Sequence, residues 1–393
     1  TKKAVLHKML EAIQTDRERV KNTLKNYLVA YASTTQQSEG YAIREAKSIK
    51  KRDEHPSYEV VIVDEAARIV PSDLMIPMAQ AKEKIILVGD HRQLPHMYDA
   101  ETFEKMKKNK GINISLEYIK RSFFEYLFDK AKELEKKDGC VRTITLDRQY
   151  RMHPLLGDFV SRNFYEPYGE SFLSPLGEEC FSQNLTEKDF PLVWYDIPPE
   201  LGNAVKHNYS RKRDCEVQKI VDVIREYINS PEGNSYSYGV ISFYSSQVKA
   251  IKEQIKDELG EDIADKILVG SVDAFQGREF DVIILSIVRT TANKSPSYNN
   301  SEITHKDIQQ YLRDKNSFTE QQKKIWSTQL ESIRSANYGF ISEENRLCVA
   351  LSRQKKLLTI VGDSTLFTEN HWAELSEVCM PALKRLYELC KEE

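Results

Sequence analysis

Short, continuous runs of apolar residues separated by helix-like segments dominate the pattern of this chain. The first runs are "YLVAYAST" (27–34), "EVVIVDEA" (59–66) and "KIILVGD" (84–90). They are rich in β-branched residues and do not alternate with polar ones, which is typical of parallel strands covered on both faces. Residues 4–28 carry apolar side chains at helical spacing, so a helix is predicted to open the chain.

The same pattern restarts after Cys140. Strands are predicted at residues 142–146, 238–244, 266–272, 280–288 and 357–363. Two amphipathic helices are predicted between them, one with its apolar face at Val217, Ile220, Val221, Ile224 and Ile228 and one with Val248, Ile251 and Ile255. Alternating strands and helices predict an α/β fold of two units, each with a mainly parallel sheet.

Two segments interrupt this alternation. Residues 163–210 are rich in Pro, Gly and aromatics, and are interpreted as an irregular connection with one small strand, "PLVWYDI". Residues 291–337 are polar, with helical periodicity only in their second half, and are interpreted as an insertion. The expected domains are therefore residues 1–146 and residues 147–393, with the insertion in the second.

Composition limits the class of protein. The chain has 393 residues, 40% hydrophobic and 30% charged, with a formal net charge of -3, which fits about two globular domains. That charge does not indicate a wholesale nucleic-acid or membrane binder, although a groove could be locally basic. The 6 cysteines include no C-x-x-C pair, which argues against a zinc site or a disulfide framework.

The same survey gives an expected location. No apolar run approaches the roughly 18 residues of a membrane span, so no membrane partner is expected. The N-terminus lacks a signal-peptide core. The scattered cysteines fit a reducing compartment. The expected location is the cytoplasm, with a nuclear address left open.

Paired carboxylates follow the strand in "VIVDEAA". Asp64 stands at the end of the strand and Glu65 follows it. An acid there can hold Mg²⁺, and its neighbour can orient or deprotonate a water that attacks a phosphoanhydride. The alternative is a strand that leads into a helix N-terminus, where acids offset the macrodipole.

Two further stretches place polar groups just after strands. In "ILVGDHRQLP", Gln93 could bind a γ-phosphate because its amide both donates and accepts; otherwise the stretch is an ordinary turn. In "LDRQYRMHP", an arginine, Arg148 or Arg151, could reach a transferring phosphate, and Tyr150 could stack on a base. The alternative for the second stretch is the salt-bridged start of a surface helix.

The last two stretches lie in the second predicted domain. In "GSVDAFQGREFDVIIL", Ser271 could donate to nucleic-acid phosphates, Gly277 could allow close approach of a nucleotide, and Glu279 could bind a ribose hydroxyl. In "NRLCVALSRQKK", Arg346 and Arg353 are seven residues apart, which predicts one face of a helix. Such a pair more often forms structural ion pairs than catalytic ones.

Taken in this order and at these separations, the stretches resemble the characteristic motifs of superfamily 1 helicases, specifically the Upf1-like branch. "VDEAA" is similar to motif II, "GDHRQLP" to motif III, "RQYRMHP" to motif IV, "VDAFQGREFDVII" to motif V and "NRLCVALSRQKK" to motif VI. "YASTT" (31–35) is similar to a motif that touches the nucleic-acid strand. The resemblance covers residues 30–365 and implies two RecA-like domains, ATP between them, and a single strand of DNA or RNA across both.

Position by position, the resemblance implies roles for the nucleotide site. Asp64 would coordinate Mg²⁺ and Glu65 would be the catalytic base. Gln93 would sense the γ-phosphate. Arg151 and Arg353 would be the arginines that the second domain supplies to ATP.

Further roles follow from the same resemblance. Tyr150 would stack near the adenine, and Gly277 and Glu279 would line the nucleotide. Thr34 and Ser271 would contact the nucleic-acid strand. Movement in the 5′-to-3′ direction is implied by the branch and not by any residue.

Three departures from the family qualify this expectation. Arg68 follows "DEAA" where a neutral polar residue is usual, and the segment between motifs V and VI is long. No G-x-x-x-x-G-K-[ST] phosphate loop occurs, and in the family that loop lies N-terminal to motif II. The expectation is the C-terminal part of an ATP-dependent helicase or translocase, with its first domain incomplete at the N-terminus.

On that expectation the remaining partner is the N-terminal part of the same protein, which would carry the phosphate loop. The fragment alone would hydrolyse ATP very poorly. The alternative hypothesis is a degenerate, non-catalytic helicase-like module that binds nucleic acid or protein. Retention of five nucleotide-site residues together argues against that alternative: Asp64, Glu65, Gln93, Arg151 and Arg353.

Overall fold

The computed structural model describes residues 2–16, 23, 27–51, 53–96, 121–186, 188–208, 210–298, 303–314 and 319–391. By its contacts the chain forms two compact units. The first is Thr1–His91 with Pro95–Thr143, and the second is Arg92–Leu94 with Ile144–Glu393. No helix in the described ranges is long and apolar enough to cross a membrane.

The first unit contains a small parallel sheet. Its elements are α1 (Lys2–Thr15), α2 (Tyr41–Ala46), β1 (Tyr58–Val63), α3 (Pro71–Ala79), β2 (Ala81–Leu87) and α4 (Phe123–Asp138). Strands β1 and β2 pair in parallel, with Val63 opposite Leu87. One face of β1 packs Val61 and Val63 into a core with Leu74 and Phe124. The opposite face is open to solvent, and Ile62 is 66% exposed there.

One expectation for the first unit is wrong, and another holds only in part. The run "YLVAYAST" forms no strand, and Val29 within it is 98% exposed. The opening helix ends at Thr15, and residues 27–30 are not helical. Residues 17–22 and 24–26 of the predicted helix lie outside the described residues. The predicted helix is confirmed over residues 4–15 and at Thr23, and among the described residues "YLVAYAST" has no partner strand.

The second unit is built on a five-stranded sheet. Its strands are β3 (Leu192–Asp196), β6 (Tyr238–Ser242), β7 (Ile267–Gly270), β8 (Phe280–Ser286) and β9 (Gln354–Gly362). Their order across the sheet is β3-β9-β8-β6-β7, and all neighbours are parallel. A separate antiparallel hairpin pairs β4 (Val205–His207) with β5 (Ser210–Lys212). The expectation of an α/β fold with mainly parallel sheets is confirmed.

Helices cover both faces of this sheet. They are α5 (Pro154–Val160), α6 (Asp214–Ile228), α7 (Ser245–Leu259), α8 (Glu261–Ala264), α9 (Val272–Phe275), α10 (His305–Arg313), α11 (Glu320–Asn337), α12 (Glu344–Ala350), α13 (Thr365–Thr368), α14 (Asn370–Cys379) and α15 (Pro381–Lys391). Along β8, Val282 and Ile284 pack toward α6 and α7, whereas Ile283 and Leu285 pack toward α12 and α14. A strand buried on both faces needs apolar residues at every position, which is the pattern of the predicted runs.

Two further corrections concern the second unit. Residues 142–146 form no strand, and Ile144 is 82% exposed. The predicted insertion is helical in its first half as well, because α10 begins at His305 and packs on α14. Its apolar residues Ile303 and Ile308 are buried in the same core as α12. This short helix has too few apolar residues for their helical spacing to be recognised among polar neighbours.

A fully buried ion pair fixes the polar edge of the sheet. Arg213, which follows β5, donates from Nη1 to Glu216 Oε1 at 3.0 Å, and both side chains are wholly buried. The Glu216 carboxylate also accepts from Ser286 Oγ at 2.7 Å and from the backbone N–H of Val288. Burial raises the pKa of Glu216, while Arg213 and these donors act in the opposite direction.

The same ion pair joins three elements. Arg213 donates further to the backbone carbonyl groups of Ile197, Pro198 and Gly202. Val288 is held at a positive φ of 65°, a conformation that costs free energy for a β-branched residue. The network therefore sets where the chain leaves β8.

Candidate nucleotide and nucleic-acid sites

The two adjacent carboxylates lie in a tight turn at the carboxyl end of β1. Glu65 has a left-handed backbone with φ 53°, and its N–H donates to Asp64 Oδ1 at 2.8 Å. The next N–H, of Ala66, donates to the carbonyl oxygen of Val88 after β2, also at 2.8 Å. Both carboxylates are exposed at this edge of the first unit.

Gly89 allows the turn after β2 to approach the turn after β1. A Cβ atom at Gly89 would lie 2.9 Å from the backbone nitrogen of Ala67 and 3.3 Å from that of Ala66. Only glycine avoids that clash without a shift of the backbone. The sequence pair Gly-Asp is thus explained by close backbone packing, which brings Asp90 to the same edge.

Thr34 lies on a separate segment of the first unit. Its hydroxyl accepts from the N–H of Gln37 at 3.3 Å, at the start of the short 3-10 helix Gln36–Glu39. Gln36 in turn donates to Asp73 Oδ2 of α3 at 2.7 Å. The Thr34 side chain is exposed, so it is available to a ligand at the protein surface.

Arg151 and Glu279, 128 positions apart, meet in the second unit. Arg151 Nε donates to Glu279 Oε2 at 2.9 Å, and Arg151 Nη1 donates to the carbonyl of Ser352 at 3.3 Å. Lys355 Nζ lies 2.8 Å from Glu279 Oε1. The hydrogen bonds from Lys355 and then from Arg151 lower the pKa of Glu279.

Gln149 holds Arg151 in place, a role that the sequence did not reveal. Its Oε1 accepts from the backbone N–H groups of Arg151 at 2.9 Å and Met152 at 2.7 Å. Its Nε2 donates to Ser174 Oγ at 2.8 Å. A Cβ at Gly157 would collide with both side chains of this last pair. The only sequence signal was its position within "RQYRMHP".

Arg353 and Gln93 also meet in the second unit. Arg353 is 2% exposed, and its Nε donates to the carbonyl of Val349 at 3.2 Å. Its Nη2 donates to Ser352 Oγ at 2.9 Å and to Gln93 Oε1 at 3.2 Å. The expected helical position of Arg353 is wrong, because α12 ends at Ala350 and the arginine stands in the turn before β9.

Asn345 is a second residue that the sequence did not single out. Its Nδ2 donates to the carbonyl oxygens of Arg92 at 3.0 Å and Gln93 at 2.7 Å. Arg92 itself stacks over the Tyr168 ring at 3.6 Å and pairs with Glu170. These contacts explain why Arg92–Leu94 pack with the second unit.

Tyr150 lines a pocket of about 540 Å³ together with Arg151 and Glu279. The other walls are Leu176, Cys180, Phe181, Lys355 and Lys356. The Tyr150 side chain is exposed, which leaves its ring accessible for stacking. Gly277, near Glu279 in the chain, has a φ of 74°, so its backbone requires glycine for conformational reasons.

Ser271 and Arg346 flank the short helix α9. Ser271 follows β7 directly and is half-buried. Arg346 pairs with Asp273 at 3.1 Å and with Glu343 at 2.7 Å, which confirms the structural ion-pair alternative for this arginine.

The acids of the first unit fit a magnesium ion that also binds phosphate oxygens. Within the described residues no cluster of three or more His, Cys, Asp or Glu side chains could hold a metal ion. Mg²⁺ typically takes one or two carboxylates and completes its shell with water and substrate phosphates. Asp64, exposed at the end of β1, meets that requirement.

Comparison with known proteins identifies the family. A family model described as an AAA domain matches residues 119–365, and a second with the same description matches residues 3–101. "Probable helicase MAGATAMA 3" of Arabidopsis thaliana is 29% identical over 333 residues, which is 81% of this chain and 32% of that protein. "ATP-dependent helicase upf1" of Schizosaccharomyces pombe is 28% identical over 254 residues, 62% of this chain and 24% of that protein.

Among solved structures, "Crystal structure of Arterivirus nonstructural protein 10 (helicase)" has a TM-score of 0.34 at 14% identity, covering 84% of this chain and 43% of that one. The chain spans about a third or less of the length of the two curated relatives. The family models together match most of the chain. The chain belongs to the AAA domain family and, within it, to the Upf1-like branch of the superfamily 1 helicases.

Proposed function

We propose that the intact protein is an ATP-dependent helicase or translocase that moves along single-stranded DNA or RNA in the 5′-to-3′ direction. The observation that carries this proposal is the grouping in the second unit. Arg151 and Glu279 form a pair beside Tyr150 at the pocket, and Arg353 donates to Gln93. These are the groups that phosphoanhydride hydrolysis needs for charge stabilisation and for detection of the γ-phosphate.

The acids of the first unit supply the hydrolytic step in this proposal. Asp64 holds Mg²⁺, which when bound neutralises charge on the phosphates. Glu65 accepts the proton of the attacking water. Both acids are exposed in the tight turn after β1, where the backbone of Glu65 is left-handed.

The arginines of the second unit act on the transferring phosphate. Glu279 accepts from Nε of Arg151 and the Ser352 carbonyl accepts from its Nη1, which fixes the plane of the guanidinium; Nη2 is the group that would bind a phosphate oxygen. Lys355 also pairs with Glu279, so the negative charge of the carboxylate is divided between Lys355 and Arg151 and neutralises the arginine only in part. Arg353 binds the γ-phosphate together with Gln93.

The remaining residues bind the adenosine part and the strand. Tyr150 stacks on the adenine, and Gly277 and Glu279 line the nucleotide. Thr34 and Ser271 donate hydroxyl groups to phosphates of the nucleic acid, which positions a strand without reading its sequence. The exposed side chain of Thr34 supports its assignment.

We further propose that the N-terminal part of the same protein, carrying the phosphate loop, covers the open face of β1. Val60 and Ile62 point from that face into solvent, although a parallel strand is normally covered on both faces. In this proposal the chain hydrolyses ATP poorly by itself, because it has no G-x-x-x-x-G-K-[ST] sequence to supply the N–H cradle for the β- and γ-phosphates. Ile62→Asp should prevent reconstitution of ATPase activity from separately expressed N-terminal and C-terminal parts.

The test is the ATPase activity of the intact protein with and without single-stranded nucleic acid. Stimulation by the strand is expected, and Glu65→Gln should lower kcat by roughly a hundredfold or more while nucleotide affinity changes little. Glu83→Gln, which removes an exposed acid of β2 in the same unit, is the matched control. An intact protein without strand-stimulated ATPase would support the non-catalytic module instead, and normal activity of Glu65→Gln would refute the assigned base.

A further inference from the structure

Three consecutive residues of the segment that follows β2 are held by the second unit. Arg92–Leu94 belong to that unit by their contacts, although the chain up to His91 and from Pro95 belongs to the first. The middle residue is Gln93, the proposed sensor of the γ-phosphate, and its Oε1 accepts from Arg353 Nη2 at 3.2 Å. The contacts that hold Gln93 beside this arginine therefore bear on how the sensor works.

The side chain of Arg92 is held on two sides. Its guanidinium carbon lies 3.6 Å from the centroid of the Tyr168 ring, a distance at which a cation is attracted to the face of an aromatic ring. Its Nε donates to Glu170 Oε2 at 3.1 Å. The side chains of Arg92 and Glu170 are only 18% and 10% exposed. Water screens such a pair less than it screens an ion pair on the open surface.

The two partners of Arg92 are themselves fixed. The Tyr168 hydroxyl donates to Glu344 Oε1 at 3.0 Å, at the start of α12. Gly169, which separates Tyr168 from Glu170, has a φ of 73°, a conformation that favours glycine. The backbone N–H of Glu170 donates to the carbonyl of Tyr165 at 3.1 Å, which closes this turn. The site that receives the guanidinium is thus built into the second unit.

Asn345 and the protein core hold the backbone on either side of the sensor. Asn345 Nδ2 donates to the carbonyl oxygens of Arg92 at 3.0 Å and of Gln93 at 2.7 Å. Leu94 is 5% exposed and belongs to the same core cluster as Met152. The position of Gln93 is therefore set by the fold of the second unit. The polar contacts form a clip around the sensor, made by Arg92, Tyr168, Glu170 and Asn345.

A sensor that is held in advance favours one nucleotide over another. Immobilising a rotamer-rich side chain on binding costs free energy, and preorganisation avoids that cost. In the proposed function Gln93 contacts the γ-phosphate, which ATP carries and ADP lacks. The benefit of the clip therefore applies to ATP alone, and it raises the preference of the site for ATP over ADP.

We propose that Arg92 is a positioning residue for recognition of the γ-phosphate. Through Tyr168 and Glu170 it holds Gln93 beside Arg353, and it thereby sets the discrimination between ATP and ADP. The inference rests on the proposed role of Gln93 and adds a residue that acts on the nucleotide only through that sensor.

The experiment measures the dissociation constants of the intact protein for fluorescent N-methylanthraniloyl derivatives of ADP and of β,γ-imido-ATP, which is not hydrolysed, in the presence of Mg²⁺. Arg92→Gln should weaken binding of the ATP analogue roughly three- to tenfold, the cost of immobilising one rotamer-rich side chain, and leave the affinity for ADP unchanged. Arg92→Lys, which keeps a cation for the ring and the carboxylate, should retain part of the preference. Glu170→Gln should give a smaller loss of the same kind, and it provides the same test if Arg92→Gln does not fold.

A double-mutant cycle tests whether Arg92 acts through Gln93. Gln93→Ala alone should lower the preference for the ATP analogue, and Arg92→Gln added to Gln93→Ala should lower it no further. Additive effects of the two substitutions would overturn the proposal, because Arg92 would then act independently of the sensor. An equal loss of affinity for both nucleotides in Arg92→Gln would overturn it too, since a general loss of structure gives that result.

Arg225→Gln is the matched control. Arg225 lies on α6 of the same unit and, like Arg92, pairs with carboxylates, those of Asp222 and Glu258. Its substitution removes an arginine and its ion pairs without touching the clip, so both dissociation constants should equal those of the unsubstituted protein. A change of preference as large as that of Arg92→Gln would refute the assignment, because loss of any paired arginine would then explain it.

Two outcomes separate this inference from the proposed function. If Gln93→Ala lowers the preference for the ATP analogue and Arg92→Gln does not, the positioning role fails and the sensor stands. If the unsubstituted protein binds the two nucleotides equally, or if Gln93→Ala leaves the preference unchanged, the proposed role of Gln93 fails and the inference fails with it.

Discussion

The buried Arg213–Glu216 pair should dominate the stability of the second unit at its polar edge. The perturbation is Arg213→Met, which keeps an unbranched apolar stem and removes the charge and the donors. The substitution removes the partner of a carboxylate that has no access to solvent. It also removes the donors to three backbone carbonyl groups, with distances of 2.7 to 3.0 Å.

The magnitude follows from burial. Removing one partner of a buried ion pair typically costs about 3–5 kcal/mol, because the other charge stays buried without compensation. Glu216 keeps its donors Ser286 and Val288, so the lower half of that range, about 3–4 kcal/mol, is expected. Domains of this size are stable by roughly 5–15 kcal/mol, so a large part of the margin would be lost.

Arg225→Met is the matched control. Arg225 lies on α6 in the same unit and contacts two carboxylates, Asp222 and Glu258, yet its side chain is 41% exposed. Exposed ion pairs contribute about 0–1 kcal/mol, so this variant should unfold almost as the unsubstituted chain does. Arg213→Lys, which keeps the charge but not the fork of donors, should fall between the two.

Urea unfolding followed by tryptophan fluorescence provides the assay. All 3 tryptophans, Trp194, Trp326 and Trp372, belong to the second unit, so their emission reports on that unit alone. The reasoning is refuted if Arg213→Met loses less than about 1 kcal/mol, or if it loses no more than Arg225→Met.

Three further predictions concern single contacts. The His153 Nδ1 accepts from the N–H of Leu155 at the start of α5, and burial lowers the pKa of His153 below its usual value of 6.5. The contribution of His153 to the free energy of unfolding is therefore present above pH 6.5 and lost as the pH falls through the lowered pKa. The variant His153→Asn caps the helix without titrating. In urea unfolding it should lose less stability between pH 7.5 and 5.5 than the unsubstituted chain. Gly89→Ala should destabilise the first unit by about 1–3 kcal/mol, because the added Cβ would clash with the backbone. The measurement is hydrogen exchange of the β1 and β2 amides, which should become faster. Unchanged exchange would contradict the expected clash. The pKa of Glu279, followed by NMR at its carboxyl carbon, should lie below 4.5. Lys355→Ala should raise that pKa, and a substitution of the exposed Glu83, as the control, should change it less. An unchanged pKa in Lys355→Ala would show that Lys355 is not the main cause.

The long-range pairing in the second unit was predictable from sequence because its strands are buried on both faces. β6 and β8 are unbroken apolar runs, and a run of that kind has few other stable environments. "YLVAYAST" and residues 142–146 have similar local propensity but remain exposed, since a strand also requires a free edge to pair with. Strand propensity is a property of the segment itself and does not tell whether another strand is available to pair with it.

The residues of the candidate site that lie within the recognised motifs could be predicted from the sequence. The motifs located Arg151, Glu279 and Arg353, and the structure brings the first two together and places the third against Gln93. Asn345 was missed because its partners lie about 250 positions away in the chain, at separations of 253 and 252. A side-chain amide that donates to main-chain carbonyl groups produces no pattern that can be recognised in the sequence.

Arg213 and Glu216 were missed for a related reason. Their spacing of three residues is that of an ordinary exposed pair on a helix. Only the packing of the hairpin, α6 and the end of β8 around them makes the pair buried. Burial of a charge depends on the whole fold, and no local pattern reports it.

The left-handed backbone of Val288 has a consequence for the timing of recognition. Its N–H is held by Glu216, so the strained conformation is imposed when the second unit folds and not when a ligand arrives. The next residue is Arg289, whose direction is therefore set in advance. A preorganised cation loses little conformational freedom on contact with an anion, so less of the interaction free energy is spent on ordering and the affinity is higher.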